Sequence, residues 1–287
     1  LTANKTSPFI QVLLTAFGMG EPEWYDIDGT YTHRIKHPQI ADYLAYLQKL
    51  YSEGLMDNDM PINTADNSKE KFASGNAIAC APLMFWDIPS MVNALSTSNP
   101  DCKIEFVTDL APDADTQPHH YIMEGAKFVT CISQNSKNPE HVINWLNILT
   151  EPDNFRRTYI GEEGVSYEII DGEYHPIFEG DDATNFNAYT NSDKLSGFSD
   201  PTLAFQMWQA RARKTPEMAE AYEAMNSRVD EYEALVSIEA YGKTSPQVQE
   251  YITALNQAFS DSFLKAIVEG TDPDEAVAAM QAEWDAN

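Results

Sequence analysis

Between about Pro38 and Glu53 the apolar residues recur at helical spacing: Ile40, Tyr43, Leu44, Leu47, Leu50 and Tyr51 share one stripe, and Gly54 follows as a stop. The spacing predicts a helix lying flat on a core. After Ser245, the positions Val248, Ile252, Leu255, Phe259 and Ile267 fall largely on one face, and after Asp272 so do Val277, Met280 and Trp284. Both stretches open on a capping residue followed by proline, whose missing N–H costs nothing at the first helical position. Asn138-Pro139, Asp200-Pro201 and Thr215-Pro216 repeat the device, so the C-terminal third is predicted to be mostly helix.

Strand patterns are fewer. The segments 77–81 (AIACA), 104–108 (IEFVT) and 127–133 (KFVTCIS) are candidates, and VSYEII and EYHPI, joined by Asp171-Gly172, predict a hairpin. Two long polar stretches, 109–126 and 178–201, are rich in turn formers and predict loops. Helices and strands in this order indicate an α/β or α+β protein.

At 287 residues the chain is long enough for two lobes, or for one lobe with an excursion. Its net charge of -27, from 45 acidic against 18 basic residues, repels phosphate backbones and anionic lipid surfaces, so no nucleic-acid partner is expected. The acidity fits solubility, with a metal or basic partner as the alternative. Cys80, Cys102 and Cys131 lack metal-ligand spacing; Cys80 and Cys131 lie in apolar runs and are expected as buried thiols. No stretch has the roughly 20 consecutive apolar residues of a membrane span. The chain opens on Leu1 rather than Met, which suggests processing or trimming.

Asp109, Asp113, Asp115, His119 and His120 offer metal-type donors, but without the spacing of a calcium loop they are expected to form a solvated acidic loop; neither metal nor cofactor is predicted. Glu162 and Glu163 are adjacent and point different ways, a poor arrangement for an acid and a nucleophile. Phosphate-cradle, serine-hydrolase and zincin motifs are absent. Aromatic side chains remain: 14 Tyr, 13 Phe and 5 Trp. Flat rings suit the apolar face of a sugar, with carboxylates and amides taking its hydroxyls. Trp145, Trp208 and Trp284 lie in helical patterns and are expected to pack. Trp86 instead follows a strand pattern and precedes a helix opening at Asp87-Ile88-Pro89, a place that lines the ligand crevice in open α/β sheets.

The succession of YLQKLYSEGLMD (46–57), KFASGNAIACAP (71–82), SKNPEHVINWLNIL, GEEGVSYE and the closing GTDPDEAVAAMQAEWDAN resembles the extracellular solute-binding proteins of bacterial ABC transporters. The resemblance is to carbohydrate-binding family 1, and especially to its larger lipoprotein-type members. It implies an α/β, periplasmic-binding-protein-like (type II) fold that binds an oligosaccharide or modified sugar by lobe closure and is not an enzyme. Residues 1–107 and 166–287 would belong to the carboxyl-terminal lobe, and 108–165 to a hinge crossing and a returning piece of the amino-terminal lobe. Family members are longer, so the chain corresponds to their C-terminal part. Phe85 and Trp86 occupy the place of a sugar-stacking aromatic and Asp87 that of a hydroxyl acceptor. His120, Tyr121 and Glu124 would stand near the cleft, with Glu163 and Tyr167 near the return. The resemblance further implies a monomer that meets transporter membrane subunits, periplasmic or held at the cell surface by a lipid anchor. A glycan-cleaving enzyme using paired carboxylates and an adhesion or interaction module are the alternatives.

Overall fold

A computed structural model describes residues 1–5, 8–81, 87–108, 110–123, 130–177, 208–213, 215–237 and 246–286. In chain order the elements are α1 (Gln11–Leu14), β1 (Trp24–Ile27), β2 (Thr30–His33), α2 (Ile40–Ser52), α3 (Ala65–Ala73), α4 (Ile88–Ser98), β3 (His119–Met123), α5 (Pro139–Thr150), α6 (Pro152–Tyr159), β4 (Tyr167–Ile170), β5 (Glu173–Pro176), α7 (Pro216–Asn226), β6 (Glu233–Ser237), α8 (Pro246–Glu269) and α9 (Pro273–Ala286). They divide between two compact units, one of Leu1–Gly125 with Ser227–Asn287, the other Ala126–Asn226.

The first unit is organised by the stripe on α2. Ile40, Tyr43, Leu44 and Leu47 are fully buried, with Leu50 and Tyr51 at the margin of the same core. Gly54, at φ 69°, ends the helix in the left-handed region that a side chain disfavours. The amides of Leu55 and Met56 turn back onto the Leu50 carbonyl, both at 2.9 Å. Against this face pack Phe259, Phe263, Ala266 and Ile267 of α8 and Val277 and Met280 of α9, as the periodicity predicts. Gln48 reaches from α2 to donate to the carbonyls of Ala266 (2.9 Å) and Thr271 (2.7 Å), and so ties α2 to the end of α8 and the turn that follows it.

The segment Leu1–Lys5 threads this unit. Thr2 and Ala3 are wholly buried, and Thr2 exchanges backbone hydrogen bonds with Ala79 and Ala81. Asp57 secures it from the other side, accepting from Thr2 Oγ1 (3.0 Å), Asn63 (2.7 Å) and Lys71 (2.8 Å). Burial alone would raise the Asp57 carboxyl, but the hydrogen bonds from Lys71, Asn63, the Asp59 amide and Thr2 outweigh it and hold it at about 2.

Both hairpins close through the same two-residue turn. Asp28-Gly29 joins β1 to β2 with φ of 52° and 77°, and Asp171-Gly172 joins β4 to β5 with φ of 53° and 87°. Positive φ at both central residues matches the right-handed twist of paired strands, which is why Asp-Gly sits there. β3 and β6 pair in parallel.

Other expectations are corrected. Among the described residues, 77–81 form no strand and contribute to sheet pairing the bridge of Cys80 to Thr2. The segment 104–108 keeps the alternating burial of an extended chain but finds no ladder partner among the described residues, so it is not a strand. Residues 130–133 are likewise irregular, and 127–129 lie outside the described residues. Conversely, β3 falls inside the stretch read as a loop. Cys131 is exposed rather than buried, and Cys80 and Cys102 are half-buried free thiols. The helix expected at Asp200-Pro201 begins outside the described residues.

In the second unit Phe155, Ile160, Tyr167 and Ala210 form a small core edged by Tyr159 and Tyr174. Arg213, buried, donates to Glu223 (2.7 Å) and Glu173 (2.6 Å) and so ties α7 to the β4–β5 hairpin. Trp145 and Trp208, expected to pack, are 45% and 42% exposed, and no residue of α5 is buried.

Truncating the centre of the α2 stripe, Leu47→Ala, is expected to destabilise the first unit by about 3 kcal/mol, read from the midpoint of urea unfolding. Acid should do the same by another route. Burial, reinforced by Arg34, lowers His33 to about 3 and His37 to about 4 from 6.5. The unfolded chain therefore takes up protons first, and the stability these rings contribute is complete above pH 6.5 and is lost on acidification through about 4 for His37 and about 3 for His33. Unfolding midpoints measured across that window should fall with pH, and fall less steeply in the double variant His33→Leu, His37→Gln.

Candidate functional site

Asp87 stands just before α4, in the position that would cap it, but its side chain makes no cap. It is drawn instead to Lys69 of α3, with Nζ–Oδ2 at 2.8 Å and only 17% of the Asp87 side chain exposed. The pair clips α3 to α4 and fixes the carboxylate at the end of the stretch that carries Phe85 and Trp86. Those two rings, and Glu124, lie outside the described residues. Beside the pair, burial pushes the half-buried Cys80 thiol up, so it is not an activated nucleophile.

His120 and Tyr121 are neighbours on β3 and point to opposite sides, as the pleat requires. Tyr121 faces inward. Its ring meets Tyr25 at 5.6 Å and His119 at 5.6 Å, and its hydroxyl donates to the Gly18 carbonyl at 3.4 Å. Burial, with Tyr25 adding to it, pushes the phenol up to about 12, so it is a neutral donor at any ordinary pH.

What Tyr121 packs on is held rigidly. Arg34 Nη2 donates to the carbonyls of Gly20 (3.1 Å), Glu21 (2.9 Å) and Pro22 (2.6 Å), while the Gly20 amide donates to the Tyr25 hydroxyl at 3.1 Å. A Cβ at position 20 would lie 2.6 Å from Tyr121 Cδ2, so glycine is required there by close approach.

His120 faces the other way and is half-buried. Its ring lies 5.9 Å from that of Tyr232 at 61°, an edge-on contact. No motif points to Tyr232, although the alternation of Tyr232, Ala234 and Val236 is a strand signal.

Glu163 and Tyr167 belong to the second unit. The Gly164 amide donates to the Tyr167 carbonyl at 2.7 Å, closing a turn over residues 164–166, and Glu163 stands exposed at its start, bridged to Tyr167. Tyr167 is 2% exposed, with its ring 5.4 Å from Tyr174, and it serves as core. Burial raises its phenol, opposed by Arg156.

Among the described residues no group of three or more His, Cys, Asp and Glu side chains is placed to hold a metal. Asp113 is turned onto its own loop, accepting from the amides of Asp115 (3.0 Å) and Thr116 (2.8 Å).

No family model matches the chain. A protein of Niallia circulans described as an uncharacterized protein in the butB 5' region is 29% identical over 253 residues, covering 86% of this chain and 93% of that protein. Among solved structures, the alginate-binding protein AlgQ2 without calcium ion is similar with a TM-score of 0.56 at 17% identity, over 98% of this chain and 59% of its own. An HMO-binding, ABC-transporter-associated solute-binding protein from Bifidobacterium longum infantis gives 0.52 at 16% identity, over 99% and 61%. The chain therefore spans about three fifths of either structure. It has the α/β, periplasmic-binding-protein-like (type II) fold.

Gly20→Ala is expected to cost about 1–3 kcal/mol of stability by overpacking against Tyr121. The penalty should shrink when Tyr121→Ala is combined with it, and a double-mutant cycle by denaturant titration measures that coupling.

Proposed function

We propose that the chain is part of the substrate-binding component of an ABC importer, taking an oligosaccharide or modified sugar by closure of lobes rather than by chemistry on it. The observation that carries this reading is the likeness, over nearly the whole chain, to two solved structures described as an alginate-binding protein and an HMO-binding, transporter-associated solute-binding protein. The ordered motifs of the sequence support it independently. In this reading the chain supplies the C-terminal part of a longer protein.

Phe85 and Trp86 would stack on the sugar, with Asp87 accepting from a hydroxyl. Its ion pair with Lys69 supports that role, since an acceptor already fixed in place loses little freedom on binding. Glu163, exposed where the 164–166 turn begins, is the second carboxylate proposed to meet hydroxyls. His120 stands on the open side of its strand and is a third polar contact. Tyr121 and Tyr167 would act through packing, holding β3 and the hairpin in place. The protein would work outside the cytoplasmic membrane, lipid-anchored or periplasmic, as a monomer that meets the transporter's membrane subunits when closed.

Calorimetry and thermal melts with a panel of oligosaccharides test the reading. A binder gains stability from a ligand that favours the native state, and chromatography after prolonged incubation returns the sugar intact. Shortened products would replace the importer reading with a glycan-cleaving enzyme.

A further inference from the structure

The open side of the β3–β6 pair carries a cluster that the motifs do not point to. Its register sets His119 against Glu233 and Ile122 against Val236, so the pleat puts Pro118, His120 and Ile122 on one side with Tyr232, Ala234 and Val236. The other side is turned inward by Tyr121 and by the buried Ser237. Outward, Ile122 and Val236 are 43% and 49% exposed, and with the small Ala234 between strand and solvent they form a flat apolar strip.

Tyr232 stands at the end of that strip, half-buried and held from three directions. Its hydroxyl is hydrogen-bonded to Thr108 Oγ1, its ring meets His120 edge-on at 5.9 Å, and the Arg228 guanidinium lies 5.7 Å from its ring centroid. Arg228 is in turn oriented by Glu231 at 2.9 Å. A ring immobilised this way beside an exposed apolar strip is not core filler, because neither buried cluster of the described residues includes it. It is a platform whose ordering cost has been met by the fold.

Resting on the reading of the chain as an oligosaccharide binder, we propose that Tyr232, with His120, Thr108 and Arg228, forms a subsite for a neutral pyranose on the open side of the β3–β6 pair. The C–H face of the sugar lies on the Tyr232 ring and the Ile122–Val236 strip, while ring nitrogens of His120 and the guanidinium of Arg228 meet its hydroxyls. Charge selects against uronates. Arg228 is matched by Glu231, the exposed Asp230 follows two residues on in sequence, and the chain as a whole carries -27. Nothing in the cluster supplies the surplus positive charge that a carboxylate requires.

The test is calorimetry on the full chain with neutral tetrasaccharides (lacto-N-tetraose, maltotetraose, cellotetraose) and with an alginate tetrasaccharide. The wild-type chain should bind a neutral sugar and not the alginate. Tyr232→Ala should weaken that binding roughly tenfold or more, and Tyr232→Phe by less than about threefold, since the ring rather than the hydroxyl carries the contact. Tyr251→Ala, which removes an exposed ring on α8, should leave it unchanged. Circular dichroism establishes that each variant is folded; should Tyr232→Ala not fold, Tyr232→Leu, which keeps apolar bulk without a planar face, carries the same comparison. Wild-type affinity in a folded Tyr232 variant overturns the subsite and leaves the binder reading standing. Binding of alginate in preference to every neutral sugar overturns the charge argument and with it the subsite. No binding of any sugar by the wild-type chain overturns the binder reading itself.

Discussion

The seam between α2 and the α8–α9 pair is the contact on which the rest of the first unit depends, because that unit is discontinuous. Its two pieces, Leu1–Gly125 and Ser227–Asn287, are separated in sequence by the whole of Ala126–Asn226. What rejoins them is apolar area: Tyr43, Leu44 and Leu47 on one side, Phe263, Ile267, Val277 and Met280 on the other. Each fully buried side chain of this size contributes about 1.5–3 kcal/mol. Loop-closure entropy rises only slowly with loop length, so a seam of this kind tolerates a long excursion between its halves. With the pieces joined, β6 is delivered to β3, and His120 and Tyr232 become neighbours despite lying in different pieces.

A second constraint runs through Arg34. In a chain so rich in carboxylates, this buried guanidinium is bonded to carbonyls of the 20–22 turn and stacks over Phe9 at 4.9 Å. Carbonyl acceptors fix a turn more tightly than an exposed carboxylate does, since the backbone has fewer alternatives than a side chain. The turn then presents Gly20 to Tyr121, and Tyr121 sets which side of β3 faces the core. Which side His120 presents to solvent therefore depends on a residue four elements away. Arg213 has the corresponding task in the second unit, joining two glutamates from different elements.

Features written in local periodicity were legible in the sequence; features that need a distant partner were not. The α2 stripe, the proline-opened helices α5, α7 and α9 and the Asp171-Gly172 hairpin follow from neighbouring residues. The Asp28-Gly29 hairpin carries the same turn signal and could have been found by the same rule. Residues 104–108 look like a strand and lack only a partner, which no local pattern supplies. β3 was hidden in loop-like residues because its partner lies beyond the inserted unit. The site divides similarly. The start of α4 at Asp87 was legible in the sequence, but the ion pair with Lys69 that holds its carboxylate was not. Tyr121 and Tyr167 show the limit of residue type: the same phenol serves as packing when the fold closes over it, and burial is a property of the assembled chain.

The fold does not choose the charge of a ligand. A protein that binds alginate, a polyuronate, and one that binds HMO share it with this chain at TM-scores of 0.56 and 0.52. Selection has to come from side chains set on the common frame. In the proposed subsite two terms of different range would point the same way. At long range a field of -27 disfavours the approach of an anion, though salt screens it within about 10 Å. At contact, stacking on an aromatic ring draws on apolar C–H surface and dispersion, which neither the field nor salt weakens. An acidic protein that relies on rings rather than cations can therefore hold a neutral sugar at full strength while excluding charged relatives, and solubility and specificity need not compete for the same residues.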